Sequence, residues 1–254
     1  MNILALETTG RYGSAAVIND EGMVWCADSV NEMNHLTDII SISDKAISLA
    51  GITKKDLTHV AASVGPGSFT GIRIGVTTAR TLGQALGIPC IGVSSLEAMA
   101  YRVLEDASRN NADIVVPIIN ARRHQTYAGS WNVIFAMDAG ILSLTELHEE
   151  KQYMIEELLG QLKETGSVIY FTGDGIDAYE SIIRETLPQG SYILAGEDLR
   201  YQHAGAVAER ALKYARAGRT VAYDDLMPEY MRLAEAEMRL KEGTLSDKIR
   251  RTIK

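Results

Sequence analysis

The chain opens Ile3-Leu4-Ala5-Leu6-Glu7-Thr8 and turns through Thr9-Gly10-Arg11-Tyr12-Gly13. It runs on as Ser14-Ala15-Ala16-Val17-Ile18-Asn19-Asp20-Glu21-Gly22-Met23-Val24-Trp25-Cys26-Ala27. Three short apolar runs separated by glycine-bearing turns read as strands at 3–8, 14–18 and 23–27. Asn19-Asp20-Glu21-Gly22 is a hairpin signal, and tight turns make the three strands antiparallel. A helix follows at 34–50, with Asn34 as N-cap and Gly51 at the C′ position. Its residues Leu36, Ile39, Ile40, Ala46, Ile47 and Ala50 fall on one face. Further on, 59–64 reads as a strand, 68–86 as a helix, 88–93 as a strand and 94–104 as a helix.

This order resembles the ribonuclease H-like unit of the actin-like ATPase and sugar-kinase folds. The composition turns polar at 105–113, where Ser108-Arg109-Asn110-Asn111 marks the best domain boundary. Beyond it the pattern partly recurs. Strands are expected at 114–119, 125–133, 141–144, 168–172 and 192–194, and helices at 151–163, 176–186 and 203–217. The expected class is α/β, a duplicated actin-like fold of two subdomains, each a mixed sheet flanked by helices. Residues 1–105 form the first subdomain and 106–254 the second, with 247–254 frayed.

The bulk composition bounds the function. Net charge is −8, hydrophobic content 46% and charged content 23% over 254 residues. These are globular values, and the acidic balance argues against an autonomous grip on nucleic-acid phosphates. Cys26 and Cys90 sit in apolar runs and read as buried, reduced thiols. No Cys/His spacing suggests zinc. The start of the chain lacks a basic n-region, and no stretch approaches a membrane span, so a cytoplasmic protein is expected.

Gly65-Pro66-Gly67-Ser68-Phe69-Thr70-Gly71-Ile72-Arg73-Ile74-Gly75 is a sharp loop feeding a helix N-terminus, which first suggests phosphate binding. In the helix, Gly71, Gly75, Ala79 and Gly83 recur every four residues and form one ridge. Helical glycine costs about 1 kcal/mol relative to alanine, so such a ridge needs a compensating close approach by another backbone. Phe69, Ile72, Val76, Ala79 and Leu86 form an adjacent apolar stripe. Both faces can pack within one domain, or part of the surface can dock a partner helix. Glu7-Thr8-Thr9-Gly10 sits where an actin-like ATPase keeps its first phosphate loop, and Thr172-Gly173-Asp174-Gly175 is a second candidate. Each reads equally as a plain strand-end turn, so Glu7, Thr8, Thr9, Gly173, Asp174 and Gly175 are only possible nucleotide contacts. Asn120-Ala121-Arg122-Arg123-His124-Gln125-Thr126-Tyr127 is either a solvated hairpin or an anion contact. His35 has no second histidine one turn away and reads as a cap or surface residue.

Taken together, the 65–75 run, the 120–127 segment, Thr172–Gly175 as a turn, and Pro228-Glu229-Tyr230-Met231-Arg232 resemble the bacterial TsaB family, formerly called YeaZ. The match runs in order from Met1 to about Glu237. The resemblance implies a fold similar to the TsaD (Kae1-type) ATPases and a non-catalytic partner of TsaD. With TsaE and TsaC, that family serves transfer of a threonylcarbamoyl group to the adenosine 3′ of the anticodon, in tRNAs reading codons that begin with adenosine. The catalytic relative carries HxxxH within Val-Asn-His-Leu-Glu-Ala-His. Here Val93-Ser94-Ser95-Leu96-Glu97-Ala98-Met99 stands instead, so neither a metal site nor a cofactor is expected. Departures from the TsaB pattern are Glu7 and Asn120, where many members have aspartate, and Leu36-Thr37 in place of Ser-Glu.

The resemblance further implies a TsaD heterodimer through the 34–50 and 68–86 helices, joined by TsaE in a ternary complex. Contact with tRNA comes only through the complex, and the chain alone pairs as a homodimer. The implied partner-binding residues are His35, Leu36, Ile39, Ile40, Phe69, Gly71, Ile72, Arg73, Gly75, Val76, Ala79 and Gly83. On this reading Gly75→Leu or Ala79→Arg abolishes the heterodimer and leaves the fold intact. The rival class is an enzyme of the same fold, an ATP-dependent phosphotransferase or a metallopeptidase.

Overall fold

Strand β1 (Asn2–Glu7) lies at the centre of the first sheet because both of its faces are apolar and both are covered. The structure, a computed structural model, describes residues 1–32, 35–136 and 141–231. Asn34 as a cap, the side chains of His35 and Leu36, Arg232 and the tail at 247–254 lie outside the described residues. After β1 come β2 (Tyr12–Asn19), β3 (Val24–Glu32), α1 (His35–Leu49), β4 (His59–Gly65), α2 (Phe69–Leu86) and β5 (Cys90–Ser94). Helices α3 (Ser95–Arg102) and α4 (Leu104–Arg109) lead to β6 (Ile114–Asn120), β7 (Gln125–Ala136) and β8 (Ile141–Met154). Then follow α5 (Ile155–Glu164), β9 (Ile169–Thr172), α6 (Gly175–Thr186), β10 (Tyr192–Leu194) and α7 (Ala204–Arg216).

The first sheet has the order β3-β2-β1-β4-β5 and the second β10-β9-β6-β7-β8. Read from its other edge, the second repeats the first. In each, three strands meander antiparallel, the fourth pairs parallel with the first, and the fifth pairs parallel with the fourth. The duplicated α/β fold is thus visible as topology, without a residue-level repeat.

Local chemistry sets the ends of the elements. Ser68 caps α2 by accepting from the Gly71 N–H at 3.2 Å, and Gly87 closes the helix at φ +66°. Two elements differ from the sequence reading. Residues 151–154 continue β8 rather than open α5, because Gln152 and Tyr153 pair with Tyr127 and Thr126 across the ladder. Cross-strand pairing there overrides helix propensity. The polar run at 105–113 holds a helix that the sequence reading did not place: α4 occupies its first half, with Leu104 and Ala107 buried.

Alternation along β1 sends Leu4 and Leu6 toward α1 and α2, and Ile3 and Ala5 toward α7. Helix α7 comes late in the chain yet packs its Ala204, Ala208 and Ala211 under the first sheet. Small residues let its backbone approach closely. The proposed division at 105/106 therefore separates the two sheets but not every helix that covers them.

Candidate functional site

The glycine ridge of α2 faces inward. A Cβ on Gly71 would collide with the Thr8 carbonyl oxygen, and one on Gly75 would lie 2.5 Å from Thr8 Oγ1. One on Gly83 would lie 2.6 Å from Cys90 Sγ. Thr8 Oγ1 donates to the Gly71 carbonyl at 2.7 Å, which locks the loop after β1 onto the helix. Ile39, Ile72, Val76 and Ala79 are likewise buried in the core beside β1 and β4. Ile39, Gly71, Ile72, Gly75, Val76, Ala79 and Gly83, expected to dock a partner, are buried within the chain itself. The close approach that the ridge required is to the chain's own β1 loop and β5.

What remains outside is different in kind. Ile40 on α1 is 52% exposed. It borders a shallow groove with Ile47, Leu82 and Leu86, between α1 and α2. Phe69 and Arg73 belong to a stack. The Arg73 guanidinium lies 3.9 Å from the Phe69 ring centroid, and its Nε–H donates to the Tyr230 hydroxyl at 3.0 Å. Tyr230 lies 157 positions away in sequence, so only folding could reveal the contact.

A cleft of about 780 Å³ opens between the two units. The loop after β1, the α2 N-terminus, the β6–β7 turn and the start of α6 all meet there. Of the six possible nucleotide contacts, Thr9 and Asp174 line it. Glu7 is buried, and its Oε1 accepts from the Thr9 N–H and from Thr9 Oγ1 at 2.5 and 2.6 Å. Thr8 is bound to α2. Cβ atoms on Gly173 or Gly175 would strike the Ile118 carbonyl, so these glycines make room for β6. Asp174 accepts from the Asn120 N–H at 3.0 Å, and its burial raises its pKa. Arg122, Arg123 and His124 all have positive φ, which presents this tight turn at the rim. His124 pairs with Glu156 at 2.9 Å, and Arg122 borders the cleft. Tyr201 and Gln202 also line it. Sequence reading missed both, since no motif surrounds them.

A family model described as TsaD: tRNA N6-adenosine threonylcarbamoyltransferase matches residues 29–240. The tRNA threonylcarbamoyladenosine biosynthesis protein TsaB of Escherichia coli (strain K12) is 30% identical over 237 residues, covering 91% of this chain and 95% of that protein. This chain belongs to the TsaB family. The TsaB of Bacillus subtilis (strain 168) is 28% identical over 243 residues, covering 96% of this chain and 99% of its own length. A solved Pseudomonas aeruginosa structure, described as an uncharacterized protein with similarity to peptidase YEAZ, superposes with a TM-score of 0.76. It is 24% identical, covers 91% of this chain and 99% of its own, and shows the shared fold.

Within this TsaB-family chain, Ser95 and Met99 are fully enclosed. Ser95 Oγ lies 3.1 Å from Thr9 Oγ1 and 2.9 Å from Ser63 Oγ, in a hydroxyl relay that ends on Glu7. Met99 packs in the core of the second unit. A hydroxyl held by two others and a thioether inside apolar packing do not fit a hard or borderline metal ion. Between the same two positions, Glu97 joins α3 to α7. Its carboxylate takes Arg210 at 2.5 Å and the Tyr214 hydroxyl. Ser94 Oγ donates to Glu150 of β8 at 2.5 Å, and burial pushes the Glu150 carboxyl up to about 7. No described helix is long and apolar enough to cross a membrane.

Proposed function

We propose that this chain is a non-catalytic partner and activator of TsaD. The reaction served is transfer of a threonylcarbamoyl group to the adenosine 3′ of the anticodon, in tRNAs reading codons that begin with A. The observation that carries this reading is the use of Ser95 and Met99 as core and relay residues, where the catalytic pattern has two histidines. Names of the relatives tie them to tRNA threonylcarbamoyladenosine biosynthesis, which supports the pathway. The docking surface is the outer face of α1 and α2 around Ile40, Leu82 and Leu86, where two helices from each partner make a four-helix bundle. The same face serves a homodimer when TsaD is absent, TsaE joins the pair as a third subunit, and tRNA is met through the complex.

Ile40→Arg tests this directly. The variant keeps the wild-type melting profile and loses co-purification with TsaD. A normal yield of heterodimer from the folded variant would rule out this surface. The rival phosphotransferase reading draws on the cleft. It requires Mg-ATP to bind the isolated chain with turnover, and isothermal titration is expected to show neither.

A further inference from the structure

Ser94 is where the chain passes from one unit to the other. It is the last residue of β5 in the first sheet and the N-cap of α3. Leu96, Met99, Ala100 and Val103 of that helix and the residue after it pack in the core of the second unit. At φ −62° and ψ 134°, Ser94 turns strand into helix within one residue. Its Oγ accepts from the Glu97 N–H at 3.3 Å, which leaves its own proton to donate to Glu150 of β8 at 2.5 Å. The second sheet is thereby tied to the residue at which the chain changes units.

Glu150 reaches Ser94 because β8 is irregular there. Ala128 pairs with Lys151 and Ser130 with His148, so Glu149 and Glu150 together oppose the single residue Gly129. Such a bulge takes a side chain out of the regular alternation and re-aims it. Gly129 makes the room, since a Cβ on it would lie 3.1 Å from Glu150 Cγ and 2.8 Å from Trp131 Cη2. The carboxylates of Glu97 on α3, Glu229 in the segment after α7 and Glu146 on β8 itself all act on Glu150. The neighbouring cations are engaged with other groups. Arg210 of α7 holds Glu97 at 2.5 Å, and Lys151 holds Glu149 at 3.0 Å. His148 Nδ1 lies 2.7 Å from Ser130 Oγ. On α4, which also packs against β8, Arg109 pairs with Glu105, and Asp106 takes the Tyr170 hydroxyl.

We propose that the Ser94–Glu150 contact is a proton-sensitive latch between the two units. With Glu150 protonated, its carboxyl still accepts from Ser94 and adds no charge beside Glu97, Glu146 and Glu229, so the units stay closed. When Glu150 gives its proton to water, a further carboxylate stands in a partly buried acidic group. Hydrating that charge requires β8 to separate from the end of β5. The chain then turns at Ser94, and the cleft between Thr9 and Asp174 changes width with the angle between the sheets. The latch draws on neither Ile40 nor the α1–α2 face, so it stands apart from the TsaD reading.

The test is solution NMR on the full chain between about pH 5.5 and 8.5, the range that brackets the Glu150 titration. The side-chain carboxyl ¹³C shift of Glu150 reads its protonation. Residual dipolar couplings of backbone amides, fitted to each sheet separately, read the angle between the sheets. That angle is expected to change with the same midpoint as the Glu150 carboxyl, about 7. Glu150→Gln is expected to hold the low-pH angle throughout. The proposal is overturned by an angle that stays fixed while Glu150 titrates, by a carboxyl that does not titrate in this range, or by an angle change that persists in Glu150→Gln. Where that variant does not fold, the two wild-type midpoints decide: coincident midpoints support the latch and separate ones overturn it.

Discussion

Gly75 shows how one residue type carries two opposite readings. A glycine ridge needs a close neighbour, and the sequence does not say whether that neighbour belongs to the same chain. Here it is Thr8, so a side chain at position 75 overpacks the core. Gly75→Ala is expected to cost about 1–3 kcal/mol in denaturant unfolding, and Gly75→Leu or Ala79→Arg to leave no cooperative transition. An unchanged midpoint would restore the docking role of the ridge. Glu150 carries a pH dependence. Its folded pKa, about 7, lies above its ordinary 4.5 chiefly through burial, with Glu97, Glu229 and Glu146 adding to the rise against the Ser94 hydrogen bond. Ionisation therefore costs more in the folded state. The stability it contributes is full below about pH 4.5, falls as pH rises toward 7 and stays low above that. Glu150→Gln keeps an acceptor for Ser94 and removes this slope. It should gain about 1–3 kcal/mol over wild type at pH 8, and the gain should vanish near pH 4.5 in urea titrations. A gap that is constant with pH would show that Glu150 does not titrate in this range.

Among the elements, α2 shows most clearly what folding adds. Capping chemistry at Ser68 and Gly87 fixes its ends, and its span was legible in the sequence at 68–86. Its burial was not, since two of its faces are apolar and only β1, β4 and the late segment around Tyr230 decide which is used. The stack of Phe69, Arg73 and Tyr230 pins that segment across the helix. Arg73→Ala should cost about 0.5–1 kcal/mol. It should also speed hydrogen exchange at the Glu229 amide, whose bond to Val64 lies next to the pin. Exchange at Glu229 equal to wild type would mean the segment is held elsewhere. The length of β8 was misjudged for a related reason: local propensity favoured helix at 151–154, and pairing with β7 outweighed it.

For the whole molecule, α7 decides what can fold alone. It covers Ile3, Ala5, Ala16, Ile18 and Ile91 on the underside of the first sheet. A fragment ending at residue 105 lacks that cover and exposes a continuous apolar face. It is expected to aggregate or to give a collapsed spectrum without dispersed methyl signals, whereas the full chain folds. A dispersed spectrum from residues 1–105 would show that α7 is dispensable. The cleft is likewise a property of the whole, since its lining comes from five separated stretches of chain.

The sequence by itself determined the strand and helix order, the duplication as a pattern, most element ends and the family, because these rest on local periodicity, capping and recognisable motifs. Only the tertiary structure decided which apolar face is core and which is free. It turned the α2 ridge inward onto Thr8, left Ile40 outside, brought Thr9 and Asp174 to one cleft while enclosing Glu7, and placed α7 beneath the first sheet. Burial depends on neighbours that are distant in sequence, and a one-dimensional pattern records which surfaces can pack without recording what packs against them.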